Sequence, residues 1–237
     1  MNALISLAGV LTLLLVAGGA LALFQRRHFS LRWLLVAAAL VALNDFLLTS
    51  GYLMIPGLLP GHWNWQGKIL ALAATLAVAA LPAFGFNRSG MTLAQAPGWW
   101  KSALPIALVY MAFFVMLARL FPSGPANAET IAFQLTMPGF EEEPFYRGVL
   151  LLALDRAFTG RVRFLGVEWG WGALLSCALF GLAHAFGFSH GRFTFDAITM
   201  GLTALPSLLA VWLRLRTGSL VLPILLHNFG NSISLFI

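Results

Sequence analysis

The stretch "PGFEEEPFYRG", Pro138 to Gly148, sets four formal charges, Glu141, Glu142, Glu143 and Arg147, between segments that would be at home in lipid. Elsewhere the 237-residue chain is 60% hydrophobic and only 9% charged, with twenty phenylalanines and eight tryptophans. A soluble domain of that length could not cover so much apolar surface with 22 charged side chains. Apolar runs near the length needed to cross a bilayer recur from end to end. The composition therefore predicts an all-α, polytopic membrane helical bundle. The acidic stretch falls near the middle of one span, where Pro138, Gly139 and Pro144 predict a broken or kinked helix.

About eight spans are expected, at 3–24, 34–58, 68–86, 103–121, 128–154, 170–188, 196–214 and 218–237. They form a single integral-membrane domain, 1–237, with no linker, low-complexity tract or internal repeat. The second span ends in Pro56, Gly57 and Pro60, and Trp63 and Trp65 after it suit a membrane–water interface. The segment 87–100 is polar and ends in Trp99 and Trp100, as an interfacial loop would. No basic residue precedes the first apolar run, so that run reads as a spanning helix rather than a cleaved signal peptide. The pI near 10.5 reflects arginines gathered at span ends and gives no nucleic-acid surface. Cys177 stands alone in an apolar run, which excludes a disulfide framework or a thiolate metal cluster.

Ten Lys and Arg residues fall on one side of the expected topology, against Lys68, Arg119 and Arg192 on the other, with Arg147 inside a span. Positive charge marks the cytoplasmic side, so both termini are expected outside the cytoplasm. The expected setting is a bacterial inner membrane.

An ionisable group at the bilayer centre costs about 2.5–3.5 kcal/mol on insertion scales, so its presence asks for a role. Glu143 and Arg147 are four apart, and a helix stacks them as an ion pair. Glu142 then points about 100° away and is expected to lack that partner, free for chemistry at a wet cavity. A purely structural ion-pair network is the competing reading. Two further stretches bear on the choice. "FGLAHAF" sets Phe180 and His184 one helical turn apart, and "HNFGNS" does the same for His227 and Asn231. Two imidazoles, a carboxamide and an unpaired acid on three spans, at similar depth, are what a site between bundle helices requires.

Taken together, Glu142-Glu143-Pro-Phe-Tyr-Arg147, Phe180-Gly-Leu-Ala-His184 and His227-Asn-Phe-Gly-Asn231 resemble the motifs of the CAAX protease and bacteriocin-processing family of intramembrane endopeptidases, which includes the type II CAAX prenyl endopeptidases. The likeness covers roughly 102–237; Glu141 and Pro144 are additions to the first motif. The resemblance implies peptide-bond hydrolysis within the bilayer. Glu142 with His184 would activate water, His227 and Asn231 would stabilise the oxyanion, and Glu143 and Arg147 would orient the acid. Phe180 and Tyr146 are candidate substrate-side residues, by packing for Phe180 and by packing or hydrogen bonding for Tyr146. No cofactor is favoured. The alternative is zinc held by Glu142, His184 and His227, although the His-Glu-x-x-His spacing is missing.

The expected partners are the lipid bilayer and a membrane-associated protein or peptide substrate, with no nucleic acid. Asn44 and Asp45, mid-span in the second helix, read as a link to a neighbouring helix rather than as a groove contact. Gln134 and Thr136 are expected either to line the cavity or to satisfy backbone at the break. Rival functions are a proton-coupled transporter, which would show matched interrupted segments in its two halves, and a catalytically idle immunity scaffold.

Overall fold

A computed structural model describes residues 2–57 and 61–237. The chain is mostly helical: α1 (Asn2–Phe24), α2 (Leu31–Thr49), α3 (Trp65–Ala80), α4 (Trp100–Leu120), α5 (Ala128–Glu143), α6 (Leu151–Ala157), α7 (Trp171–Ala185), α8 (Ala197–Thr217) and α9 (Val221–Ser232). Of these, α1, α2, α4 and α8 are long and apolar enough to cross a membrane, while α3 and α7 are apolar but shorter. Large apolar side chains such as Val16, Leu108 and Val109 face outward, as they should where the solvent is lipid. The most extensive pairings are α7 with α8 and α5 with α9.

The expected interruption at the glutamates takes the form of a π-helical segment, Pro144–Leu150, joining α5 to α6 without a gap. Proline cannot donate an N–H, and its ring clashes with the carbonyl four residues back. A wider π turn relieves both, and such turns recur at functional sites. Every residue of the segment is buried, so this irregular backbone is shielded by protein, as the bilayer demands.

Several span limits differ from those read in the sequence. Helix α2 stops at Thr49, and a 3-10 turn at Gly51–Met54 follows it; Pro60 lies outside the described residues. Helix α7 ends at Ala185, where the chain enters a hairpin of β3 (Phe186–Ser189) and β4 (Arg192–Phe195). A second hairpin pairs β1 (Val162–Phe164) with β2 (Val167–Trp169). Each turns through two left-handed residues, Leu165–Gly166 and His190–Gly191, the geometry that suits a tight right-twisted hairpin. At the end of the β3–β4 hairpin Asp196 caps α8. It accepts the Ile198 and Thr199 N–H groups and the Thr199 hydroxyl, and the Thr199 N–H in particular holds its carboxyl below the usual range. Helix α9 has 12 residues, about 18 Å, too short to cross a bilayer core of about 30 Å. It lies against α4, α5 and α8 instead.

One apolar core gathers α1, α2, the π segment, α6 and α7 around Leu150, Leu154 and Phe158. A second joins α4, α8 and α9 through Ala103, Leu213 and Leu226. The polar residues of the interior lie between them.

Candidate active site

Close approach of α5 and α9 builds the centre. A Cβ on Gly139 would stand 2.6 Å from both Asn228 Oδ1 and the Ile224 carbonyl oxygen, so only glycine permits this packing. The Gly139 N–H donates to Asn228 Oδ1 at 2.7 Å, and Asn228 is buried. With the backbones locked in this way, His227 meets the glutamates. Its Nδ1 lies 2.7 Å from Glu143 Oε1, and its Nε2 lies 3.5 Å from Glu142 Oε2.

Glu143 also faces Arg147, with Nε 3.4 Å from Oε2, as the four-residue spacing predicts. Arg147 is 2% exposed; it donates to Ser207 Oγ at 2.8 Å, and its guanidinium lies 4.2 Å from the Phe180 ring centre. Phe180 in turn packs against His184 and edge-on to His227. Its carbonyl oxygen lies 2.8 Å from His184 Nδ1. That contact makes Nδ1 the donor and leaves Nε2 as the other reactive nitrogen. His227 is fixed likewise through Glu143, because a carboxylate accepts from Nδ1–H.

Glu142 is not left unpaired. Lys68, on the first turn of α3, forms an ion pair with Glu142 and a second, at 2.7 Å, with Glu141. In the sequence Lys68 counts only among the three basic residues opposite the cytoplasmic side, and Glu141 as an addition to the motif. In the folded chain Glu141 is fully buried and Lys68 is 14% exposed. Nothing in local spacing links residue 68 to residue 141; only the packing of α3 on α5 does. Asn228 and Ser207 were missed for the same reason.

Three carboxylates (Glu141, Glu142, Glu143) face two permanent cations, Lys68 and Arg147. The cluster therefore carries one net negative charge. Charge balance matters here because an uncompensated buried ion costs several kcal/mol.

These groups border a cavity of about 610 Å³ lined by Lys68, Glu142, Glu143, Arg147, Phe180, His184, His227 and Asn231, with an apolar wall from α4, α5 and α8. Asn231 is exposed at this cavity. Gln134 lines it too, whereas Thr136 bonds back to the Ala132 carbonyl of its own helix. Trp63 stacks on Phe133 beside the cavity. The N–H groups of His62 and Trp63 and the Trp65 indole all donate to Glu129, so the interfacial segment is tied to the start of α5. Tyr146 lies away from this cavity. It is buried edge-on to Phe145 and Phe180, and its carbonyl accepts from Ser176 Oγ at 2.7 Å.

Among the described residues no three His, Cys, Asp or Glu side chains converge as a metal cage. Lys68 already sets a positive charge against Glu142, where a dication would be repelled.

Residues 124–233 match the family model described as type II CAAX prenyl endopeptidase Rce1-like. No curated protein and no solved structure matches the chain. The matched segment carries Glu141 to Glu143, Arg147, Phe180, His184, His227 and Asn231; Lys68 and the rest of α1 to α4 lie outside it. Through that segment, just under half of its length, the chain is similar to the type II CAAX prenyl endopeptidases, which supports its place in the CAAX protease and bacteriocin-processing family.

Proposed function

We propose that the protein hydrolyses a peptide bond of a membrane-associated protein or peptide, with Glu142 and His184 activating water. The observation that carries this reading is the way both imidazoles and the acid are oriented around one cavity. Each histidine commits Nδ1 to a fixed acceptor, and Glu142 Oε2 has no hydrogen-bond partner among the described protein atoms. A water beside that oxygen loses a proton to Glu142 as its oxygen attacks the scissile carbonyl carbon. The proton then passes to the departing amide nitrogen as the C–N bond breaks.

His227 Nε2 and the Asn231 amide are the oxyanion donors. Because Nδ1–H is given to Glu143, His227 donates from Nε2 as an imidazolium, the state that also neutralises the cluster. Each such donor is worth about 10²–10³ in rate. Glu143 and Arg147 position His227 and do not touch substrate. The apolar wall of the main cavity suits an apolar or membrane-borne segment.

A zinc-dependent form is the second reading. The observation favouring it is that two imidazoles with committed Nδ1 atoms have Nε2 left to ligate, beside Glu142. Zinc bound there would polarise the carbonyl and acidify water, but Lys68 would first have to leave Glu142. The metal-independent reading is the one we favour, on that electrostatic conflict.

The deciding experiment compares new protein termini in membranes of wild-type and Glu142→Gln strains at equal expression, with metal analysis of the purified protein. The reading expects termini that vanish in the variant and metal well below one equivalent. Identical termini in both strains would remove Glu142 from the chemistry. A full equivalent of zinc lost on substituting His184 or His227 would replace the glutamate mechanism with the metal one. The charge bias further supports a site open to the extracytoplasmic side of a bacterial inner membrane, and a reporter fused ahead of α1 that proved cytoplasmic would reverse that orientation.

A further inference from the structure

A second, smaller chamber of about 190 Å³ lies on the other side of the same acid. Its walls come from α1, α2, α7 and the α5–π junction, including Asn44, Asp45, Thr49, Glu141 and Tyr146. Glu142 and His184 are the two described residues that border both this chamber and the main cavity. The pair assigned above to water activation thus forms the partition between two compartments.

The compartments differ in kind. The main cavity is large, with an apolar wall suited to a polypeptide. The small one has a polar edge on α2, where Asn44, Asp45 and Thr49 fall within six residues, and room for several waters at about 30 Å³ each. Asp45 is half-buried and takes part in no ion pair among the described residues. Glu141, 0% exposed, lines the chamber and is hydrogen-bonded by the Asn44 side chain, whose own Oδ1 is buried without a partner among the described residues. Buried polar atoms without protein partners are the usual seats of ordered water. The chamber also reaches the bundle end: Thr49 is the last residue of α2, His184 is next to the last of α7, and both are exposed.

We propose that this chamber is a dedicated water inlet, feeding the hydrolytic water to Glu142 and His184 from behind while substrate fills the main cavity. The proposal rests on the hydrolytic reading above. Each turnover consumes one water: its oxygen joins the carbonyl carbon, and its protons end on the new amine and carboxyl groups. An extended substrate in the main cavity would shut out bulk water from that side, and in a bilayer no other reservoir lies at that depth. Asn44 and Asp45 are then positioning residues for water. Asn44 meets Glu141 of α5 as well, which is the link to a neighbouring helix expected from the sequence.

The test has two arms, both on the full-length protein. In a Cys177→Ala background, Leu48→Cys places a thiol in the chamber, and Leu43→Cys places one on the neighbouring outer face of α2. The charged, water-borne methanethiosulfonate reagent MTSES should modify the first at least tenfold faster than the second in membrane vesicles. Equal rates would overturn a water-filled chamber. In the other arm, Asn44→Leu and, from the α1 side, Val10→Phe reduce the chamber's polarity and volume without touching the main cavity. Both should lower kcat about tenfold or more, with KM unchanged, for a peptide spanning a cleavage site mapped in wild-type membranes. A chamber that takes up MTSES while both folded variants keep wild-type kcat overturns the inlet and leaves the protease reading intact. Absence of any wild-type cleavage refutes the hydrolytic reading and the inlet with it.

Discussion

Lys68→Met removes the cation that compensates Glu141 and Glu142. The buried cluster then falls from one net negative charge to two, because only Arg147 remains against three carboxylates. Breaking a buried pair by deleting one partner costs about 3–5 kcal/mol, since it leaves a charge unpaired in low dielectric. Lys68 and Glu142 keep 14% and 13% of their side-chain exposure, so water screens part of this, and the lower end, about 3 kcal/mol, is the better figure. For a chain of this size about 3 kcal/mol corresponds to a fall in Tm of about 6–12 °C. Lys68→Met/Glu141→Leu should recover most of that loss, because it replaces a buried ion pair with apolar side chains of similar length, which is often neutral. Thermal unfolding in detergent of wild type, both singles and the double variant completes a cycle. Lys68→Met as stable as wild type, or a double variant no better than Lys68→Met, would show that the pair carries no buried charge and would refute the charge count. Lys68→Arg keeps the charge and should stay within a few degrees of wild type.

Other consequences can be checked more quickly. Gly139→Ala forces a methyl against Asn228 and Ile224 and should cost about 1–3 kcal/mol, read as a lower Tm, with cleavage reduced as His227 shifts. Arg147→Lys should rescue little of the activity lost in Arg147→Ala, because an ammonium cannot meet Glu143 and Ser207 and also lie flat on Phe180. Asp196, with its carboxyl held below the usual range, chiefly by the Thr199 N–H, supports α8 while ionised. A lowered folded value means the support is complete above the ordinary aspartate range and is lost as pH falls through the depressed one. Amide protection at Ile198 and Thr199, corrected for intrinsic exchange, should therefore drop below about pH 4, and Asp196→Ala should abolish that step.

Composition and apolar periodicity were enough for a helical membrane bundle, because lipid admits few other ways to satisfy a backbone. Motif spacing was enough to single out Glu142, Glu143, Arg147, Phe180, His184, His227 and Asn231, since helical residues three or four apart share a face whatever surrounds them. The proline-marked irregularity was legible too, although the sequence could not say whether the helix would break or widen. Lys68 and Asn228 were not legible as site residues: their partners are 73 and 89 positions away, and long-range pairing leaves no local trace. The first strand of the hairpin was hidden because Phe186, Gly187 and Phe188 continue the apolar run of α7, and the polar break begins only at Ser189. Which cation meets which acid, and which cavities Glu142 and His184 border, was decided by the packing of α1, α2 and α3 around the π turn. Charge compensation and cavities are properties of neighbouring helices in space, and a one-dimensional pattern does not encode which helices become neighbours.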